Sequence, residues 1–298
     1  MIVLGRDDFS RAVAREGGWE FVRLETKTFP DGESYFRITE PERLRNEKVV
    51  LAVRGRTPGL QQDKLVTESV IVLDRVREAG AGKICLFVPY LPYARQDREF
   101  LPGEAVSAKS VRNLLSERCD LLLSVSSHDF RKEGWIGEKM YNIDGTDSAI
   151  DFLRERELKD PIVIAPDMTA KDNVERLAKA IGGNTFAIKK ERDRKTGEIK
   201  TFAKIPNLSG QELVIFDDVS SSGGTLYKAI QMGKKAKASK IFSVVIHALS
   251  VHNEKFGKNS IDLIRGECDE YSSSDTIESP VTKFSVVKQT ARFLKESF

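Results

Sequence analysis

The chain is poor in cysteine and histidine and carries no marked excess of charge of either sign. Cys85, Cys119 and Cys268 are scattered and odd in number, which argues against a disulfide framework, and they form no zinc-like spacing. They predict reduced thiols in a cytoplasmic protein. Lys and Arg number 48 and Asp and Glu 45, a net charge of +3 in 298 residues. That near balance argues against a dedicated nucleic-acid binder, which shows a strong basic excess. No apolar run approaches the ~20 residues that span a bilayer, so no membrane partner is expected. The start, MIVLGRDDF, meets Arg6 and two aspartates after a short apolar run. It reads as the first strand of a domain rather than as a signal peptide. There is no low-complexity segment and no Gly/Ser linker.

What is present is alternation. VVLAV (49–53), ICLFVPY (84–90) and LLLSV (121–125) read as buried strands. Between them, Leu65, Val72, Leu73 and Val76, and then Ala108, Val111, Leu114 and Leu115, recur at the helical period, with Gly80 stopping the first helix. The pattern then restarts. IVIA (162–165) is a strand, Val174, Leu177, Ala178 and Ile181 mark a helix, and TFAIK, ELVIFDD, a helix from 225 and KIFSVVIHA follow. Strands alternating with helices imply mostly parallel sheets covered on both faces. Two such series predict two similar α/β domains, 1–145 and 146–280. A closing strand (FSVV) and helix in 281–298 are expected to pack on the first domain.

The segment VIFDDVSSSGGTL (214–226) carries the most chemistry. In open α/β sheets ligands bind at the carboxyl ends of strands, where Asp217 and Asp218 are expected. The following turn leads into a helix N-terminus, whose backbone N–H groups lack partners and whose dipole favours an anion. Gly223 and Gly224 allow close backbone approach, and Ser221, Ser222 and Thr225 offer hydroxyl donors. The pattern is a phosphate cradle. Carboxylates repel phosphate, so Asp217 and Asp218 suit ribose hydroxyls or a Mg²⁺ ion instead. The Gly-Lys-Ser/Thr ending of a P-loop is missing.

This run resembles the phosphoribosyl-diphosphate signature of type I phosphoribosyltransferases and of ribose-phosphate diphosphokinases. The second family is the closer match. FPDGE (29–33) resembles its adenine-contacting loop, and VPYLPYARQDREF (88–100) with GEAVSAK (103–109) resembles its ATP-binding segment. SHDF (127–130) places a histidine where the family has a metal-binding one, and KKERDR (189–194) resembles its catalytic loop. The tail FSVVKQTARFL also looks like the family's closing strand and helix. The resemblance implies two phosphoribosyltransferase-like domains and a Mg²⁺-dependent transfer of the diphosphoryl group of ATP to the C1 hydroxyl of ribose 5-phosphate. It implies a homo-oligomer too, a dimer or hexamer, because the family's adenine loop reaches a neighbouring subunit.

Carried over residue by residue, the resemblance assigns Phe29, Asp31, Glu33, Arg95, Gln96 and Asp97 to ATP. It assigns Asp217, Asp218 and Ser221 to Thr225 to the sugar phosphate, and His128 and Asp167 to the metal. Lys190 and Arg192 become the catalytic cations, with Arg194 a weaker member. They stand in a segment, 189–204, that holds seven basic and three acidic residues around Gly197, a mostly positive flap between two strands. Without the resemblance, FPDGE reads as a plain Pro-Asp-Gly turn with a core Phe, and His128 as an ordinary loop histidine. His247 and His252 read as structural. Ser107 and Lys109 are as consistent with a solvent-facing helix as with a nucleotide contact.

Two other activities compete. A phosphoribosyltransferase shares 214–225 but leaves Arg95-Gln96 and the Lys190 flap unexplained. A non-catalytic regulatory homologue would not need Lys190, Arg192, Asp217 and Asp218 together. One departure bears on the acceptor. PDMTAKD (166–172) has Thr169 and Ala170 where the family usually has two glycines. Their Cβ atoms hinder the positive φ and the close anion approach that glycine allows. A larger acceptor ending in 5-phosphoryl ribose, such as ADP-ribose, is therefore the alternative to ribose 5-phosphate.

Overall fold

The structure is a computed structural model that describes residues 1–57, 59, 61–128, 130, 132–166, 171–186, 190–192, 199–201 and 206–298. The chain divides into two units, Met1–Gly55 with Leu60–Asp144 and Ser285–Phe298, and Arg56–Gly59 with Gly145–Phe284.

The first unit opens with β1 (Ile2–Gly5), α1 (Asp8–Gly17), β2 (Glu20–Thr28), β3 (Ser34–Ile38) and β4 (Lys48–Ala52). After the two-residue β5 (Gly55–Arg56) come α2 (Gln62–Glu78), β6 (Lys83–Phe87), α3 (Ser107–Ser116), β7 (Leu121–Val125), β8 (Gly134–Ile136) and β9 (Met140–Ile143). The sheet order is β3-β2-β1-β4-β6-β7-β9-β8. Its ladders are parallel except at the two edges, β2/β3 and β8/β9. The central strands read as continuous apolar runs because parallel strands are covered on both faces, and Val49, Leu51, Leu86 and Leu122 are fully enclosed. Helix α1 is set by a capping box: Asp7 Oδ1 accepts the Ser10 N–H at 2.9 Å and Ser10 Oγ accepts the Asp7 N–H at 3.2 Å.

In the second unit, α4 (Thr146–Arg154), β10 (Ile162–Ile164), α5 (Lys171–Ala180), β11 (Asn184–Thr185), β12 (Lys190–Arg192), β13 (Ile199–Thr201), β14 (Glu212–Ser220) and α6 (Gly224–Lys235) follow one another. Then come β15 (Lys240–Ala248), β16 (His252–Asn253), β17 (Lys258–Asn259), α7 (Ser260–Arg265), β18 (Glu270–Ser274), β19 (Ile277–Glu278) and β20 (Thr282–Phe284), after which the chain returns to the first unit with α8 (Val287–Ser297). The sheet β11-β10-β14-β15-β18-β20 is parallel throughout. Helix α6 lies against β14 and β15, and α4 against β15 and β20. Arg156 forms an ion pair with Glu270 at 2.6 Å, joining the end of α4 to β18. The two α/β series read from the sequence are both present.

Several boundaries move for identifiable reasons. The strand read over 84–90 stops at Phe87, because Pro89 has no N–H with which to continue a ladder. Helix α5 stops at Ala180 and leaves Ile181 outside, since Gly182 turns at φ 72° and the Gly183 N–H closes on Ala178 O at 2.8 Å. Of the strand read over TFAIK, Thr185 is paired in β11, while residues 187–189 lie outside the described residues. The tail 281–298 divides. β20 pairs with β18 in the second sheet, whereas α8 packs on α1 of the first unit. FSVV is thus not one strand: Ser285 Oγ accepts the Val287 N–H at 3.1 Å, turning the chain into α8.

Two buried contacts generate tests. Gly233 of α6 sits so close to β14 that a Cβ there would stand 2.4 Å from Leu213 Cδ2 and 3.1 Å from Ile241 Cδ1. Gly233→Ala gains up to ~1 kcal/mol of helix propensity but overpacks a filled core at a cost of ~1–3 kcal/mol. A net fall in melting temperature is expected in a thermal scan. Asn142 of β9, 1% exposed, pins the loop after β7. Its Oδ1 accepts the Ser127 N–H at 2.9 Å, and its Nδ2 donates to Phe130 O at 2.8 Å and Lys132 O at 3.0 Å. Asn142→Ala strands those groups, and at ~1–3 kcal/mol for each buried group left unpaired, denaturant unfolding should register a loss of at least ~2 kcal/mol.

Candidate active site

Three segments proposed from the sequence emerge at the carboxyl-terminal edge of the first sheet. FPDGE forms the five-residue connection of the β2–β3 hairpin. Phe29 donates its N–H to Glu33 O at 2.8 Å, Gly32 donates to Phe29 O at 2.9 Å with φ 94°, and the Glu33 N–H reaches Asp31 Oδ1 at 3.1 Å. The Pro-Asp-Gly turn is real, but its phenylalanine is not a core residue. Phe29 is 40% exposed, edge-on to Tyr35 at 5.9 Å, with Lys27 Nζ 5.3 Å from its ring centre. It presents an aromatic face to solvent.

Arg95, Gln96 and Asp97 stand eight to ten residues beyond β6, in an irregular loop rather than directly at the strand end. Tyr93 holds the loop's start. It adopts φ 64°, a conformation uncommon outside glycine, donates its N–H to Gln62 Oε1 at 3.3 Å, and hydrogen-bonds through its hydroxyl to Asp63. Glu104 closes the far side. One of its oxygens accepts the N–H groups of Phe100 at 2.8 Å and Leu101 at 3.0 Å and the Gln96 amide at 3.2 Å. Those hydrogen bonds, the Phe100 one foremost, hold the Glu104 carboxyl below its ordinary range. Arg95 and Asp97 remain exposed, the latter 3.6 Å from Arg98. Ser107 opens α3 and Lys109 lies on its exposed face.

His128, half-buried, lies on the Asn142-pinned loop after β7. Because β6 and β7 are neighbours, the chain after each is joined: Val88 donates to Leu123 O at 2.9 Å and Val125 to Pro89 O at 3.0 Å. The structure therefore sets the Arg95 loop beside the His128 loop. It does not bring the Phe29 loop to them at sheet level, since β2 is three strand positions from β6, roughly 14 Å at the usual strand spacing.

In the second unit the carboxylate pair departs from the sequence reading. Strand β14 does not end at Asp217-Asp218. It stays paired with β15 through Val219↔His247 and Ser220↔Ala248, so Asp217 lies opposite Val245 inside the sheet and is 8% exposed. Asp217 Oδ1 accepts the Asp218 N–H at 3.0 Å, and Asp218 Oδ1 the Val219 N–H at 2.8 Å. Each carboxylate is thus braced by the backbone that follows it. Burial, with the Asp217 charge adding to it, pushes the Tyr271 phenol up. Ser221 to Gly223 then form the turn, Gly223 at φ 76°, and α6 begins at Gly224. Among the described residues none accepts from the N–H of Ser222 or Gly223, and the first-turn N–H groups of α6 have no intrahelical acceptor. Ser222 and Thr225 are exposed. The arrangement can cradle an anion, with two fixed carboxylates upstream.

Lys190 and Arg192 fall on the backbone of β12, which pairs antiparallel with β13; their side chains lie outside the description. Asp167, Thr169, Ala170 and Arg194 lie outside the described residues. His247 is buried, its Nδ1 2.8 Å from Thr276 Oγ1, and His252 is an exposed residue of β16. Among the described residues no three His, Cys, Asp or Glu side chains form a metal cage. Among the same residues no helix is long and apolar enough to cross a membrane. Sequence reading missed Asn142, which carries no motif, and gave no role to Tyr93 or Glu104, though VPYLPYARQDREF and GEAVSAK contain them.

The chain resembles known proteins over most of its length. Residues 3–118 match the N-terminal domain of ribose phosphate pyrophosphokinase, and residues 139–280 the phosphoribosyl transferase domain. A ribose-phosphate pyrophosphokinase of Saccharolobus solfataricus is 35% identical over 237 residues, 78% of this chain and 79% of the relative. One from Methanopyrus kandleri is 30% identical over 98% of this chain and 97% of its own. The crystal structure of phosphoribosylpyrophosphate synthetase from Mycobacterium smegmatis shares the fold, with a TM-score of 0.79 over 100% of this chain and 99% of that one at 20% identity. The exposed Phe29 hairpin, the Glu104-closed loop, and the strand, turn and helix around Asp217 all fall within the two matched regions, and the chain belongs to the ribose-phosphate pyrophosphokinase family of enzymes.

Proposed function

We propose that this enzyme transfers the diphosphoryl group of ATP to the C1 hydroxyl of ribose 5-phosphate, giving phosphoribosyl diphosphate and AMP. The observation that carries the proposal is the turn before α6, where the Ser222 and Gly223 N–H groups meet no acceptor among the described residues, together with the braced Asp217-Asp218 pair. The 5-phosphate seats on Ser221, Ser222, Gly223, Gly224 and Thr225, where backbone and hydroxyl donors and the helix dipole all favour an anion. Asp217 and Asp218 accept from the ribose hydroxyls and so orient the sugar. Arg95 pairs with ATP phosphates, Gln96 and Asp97 read polar groups of the nucleotide, and Phe29 stacks on adenine with Asp31 and Glu33 supporting its loop. The lateral separation of β2 from β6 favours the Phe29 loop serving ATP bound to a neighbouring copy, which makes the enzyme a homo-oligomer. It acts in the cytoplasm.

In the reaction the C1 oxygen attacks the β-phosphorus of ATP and the bond from that phosphorus to the α–β bridging oxygen breaks. AMP leaves with the bridging oxygen, and the hydroxyl proton is released. Little covalent chemistry falls to the protein, so catalysis is positioning and charge stabilisation. Lys190 and Arg192 meet the negative charge growing on the bridging and equatorial oxygens. His128 and Asp167 are the residues that would hold Mg²⁺, which when bound neutralises phosphate charge and orients the diphosphate.

A second acceptor rests on one sequence feature. Thr169 and Ala170 replace the family's usual glycines, a change that favours a larger 5-phosphoryl ribose acceptor such as ADP-ribose.

AMP release from ATP and ribose 5-phosphate is the direct assay; a phosphoribosyltransferase or a non-catalytic binder would release none. Lys190→Ala should lower turnover by ~10²–10³ with ATP affinity nearly unchanged, and a loss under about fivefold would remove Lys190 from the mechanism. In a panel of acceptors, the second reading expects ADP-ribose to be preferred and Thr169→Gly with Ala170→Gly to shift use back to ribose 5-phosphate. Unchanged acceptor ratios would make the substitution neutral.

A further inference from the structure

Behind the cradle stands a side chain that no sequence motif marks. Asn253, in the β16–β17 hairpin, is 8% exposed, and its Nδ2 donates to the backbone oxygen of Ser222 at 2.7 Å. The acceptor is the carbonyl of the peptide that joins Ser222 to Gly223. In a trans peptide the C=O and the N–H point in opposite directions. Tying the Ser222 oxygen to the hairpin therefore turns the Gly223 N–H to the opposite side of the turn, and no acceptor among the described residues takes it. The turn is also seated from below. A Cβ on Gly223 would stand 3.3 Å from Ile264 Cγ1 and 3.4 Å from Ser260 Cβ, so the backbone lies directly on α7. Ser260 in turn holds the hairpin's approach, donating to Leu249 O at 2.9 Å and accepting the Val251 N–H at 3.1 Å. Hairpin and helix form one buttress.

We propose that Asn253 is a positioning residue for the sugar phosphate: by holding the Ser222–Gly223 peptide plane it presents the Gly223 N–H to the 5-phosphate. Without that anchor the plane is free to rotate, and a glycine, which populates both signs of φ, does little to resist. The anchor lies on a separate element from the loop it orients, so the cradle's donor geometry is imposed by tertiary contact. This rests on the reading of 221–225 as the sugar-phosphate loop, and the test separates the two.

Binding of ribose 5-phosphate is measured by calorimetry without ATP, alongside KM for each substrate, kcat and the melting temperature. The chains compared are wild type, Asn253→Ala, Asn253→Asp, Asn253→Ser and, as a report on the loop itself, Thr225→Ala. Asn253→Ala should raise the Kd and KM for ribose 5-phosphate about tenfold, with the ATP KM and kcat within twofold of wild type. Asn253→Asp, which keeps the shape but faces the Ser222 oxygen with an acceptor, should be at least as weak. Asn253→Ser, the mildest change, should fall between and keeps the comparison available if either other variant fails to fold. Ribose 5-phosphate affinity within twofold of wild type in the folded Asn253 variants, with Thr225→Ala weakened, overturns the role of Asn253 alone. Wild-type affinity in Thr225→Ala as well overturns the loop reading and the proposal with it. Loss of kcat and of affinity for both substrates together with a lower melting temperature would assign Asn253 a merely structural role and overturn the proposal too.

Discussion

The parallel pairing of β14 with β15 is the constraint on which the second unit's chemistry depends. It runs from Glu212↔Lys240 to Ser220↔Ala248, past the point at which the apolar run ends. That extra length carries Asp217 into the sheet instead of leaving it at the rim. A carboxylate inside a sheet needs its hydrogen-bonding capacity used, and each aspartate accepts the N–H of the next residue. The turn can then begin only at Ser221, and α6 three residues later. The distance between carboxylates and cradle is thus a consequence of strand register.

The first unit uses another device. Its candidate ATP segments are long loops, and loops are held by side chains where backbone ladders stop. Tyr93 ties one end of the 88–106 loop to the first turn of α2, and Glu104 folds the other end onto Phe100 and Leu101. The loop after β7 is held in the same way by Asn142, a buried side chain whose amide makes three hydrogen bonds. Phe29, Arg95 and Asp97 are exposed and His128 is half-buried, whereas Asn142, which places the His128 loop, is buried.

The β2–β3 hairpin shows how one short motif carries two meanings. Pro30, Asp31 and Gly32 build an ordinary turn, and the backbone closes as such a turn should. The same turn holds Phe29 out of the core, where an aromatic ring costs hydrophobic stabilisation unless something covers it. Turn chemistry alone does not distinguish a buried from a presented phenylalanine. That depends on which side of the sheet is covered, which is a property of the packed unit.

Local pattern by itself determined that there are two α/β series, because apolar periodicity and glycine stops act over a few residues. It also marked the strand, the two aspartates and the small-residue turn before α6, since that order of residue types has few other uses. Tertiary structure alone decided where β14 ends, because a strand runs as far as its neighbour pairs with it and not as far as its own apolar run. It decided the division of the tail, where β20 joins one sheet and α8 packs on the other unit's first helix. It also chose the anchors Asn142, Tyr93 and Asn253, which lie 10 or more residues from most of what they hold along the chain and meet it only when strands and helices are packed. A hydrogen bond of that kind has no sequence signature, since its two ends are related by the fold and not by spacing.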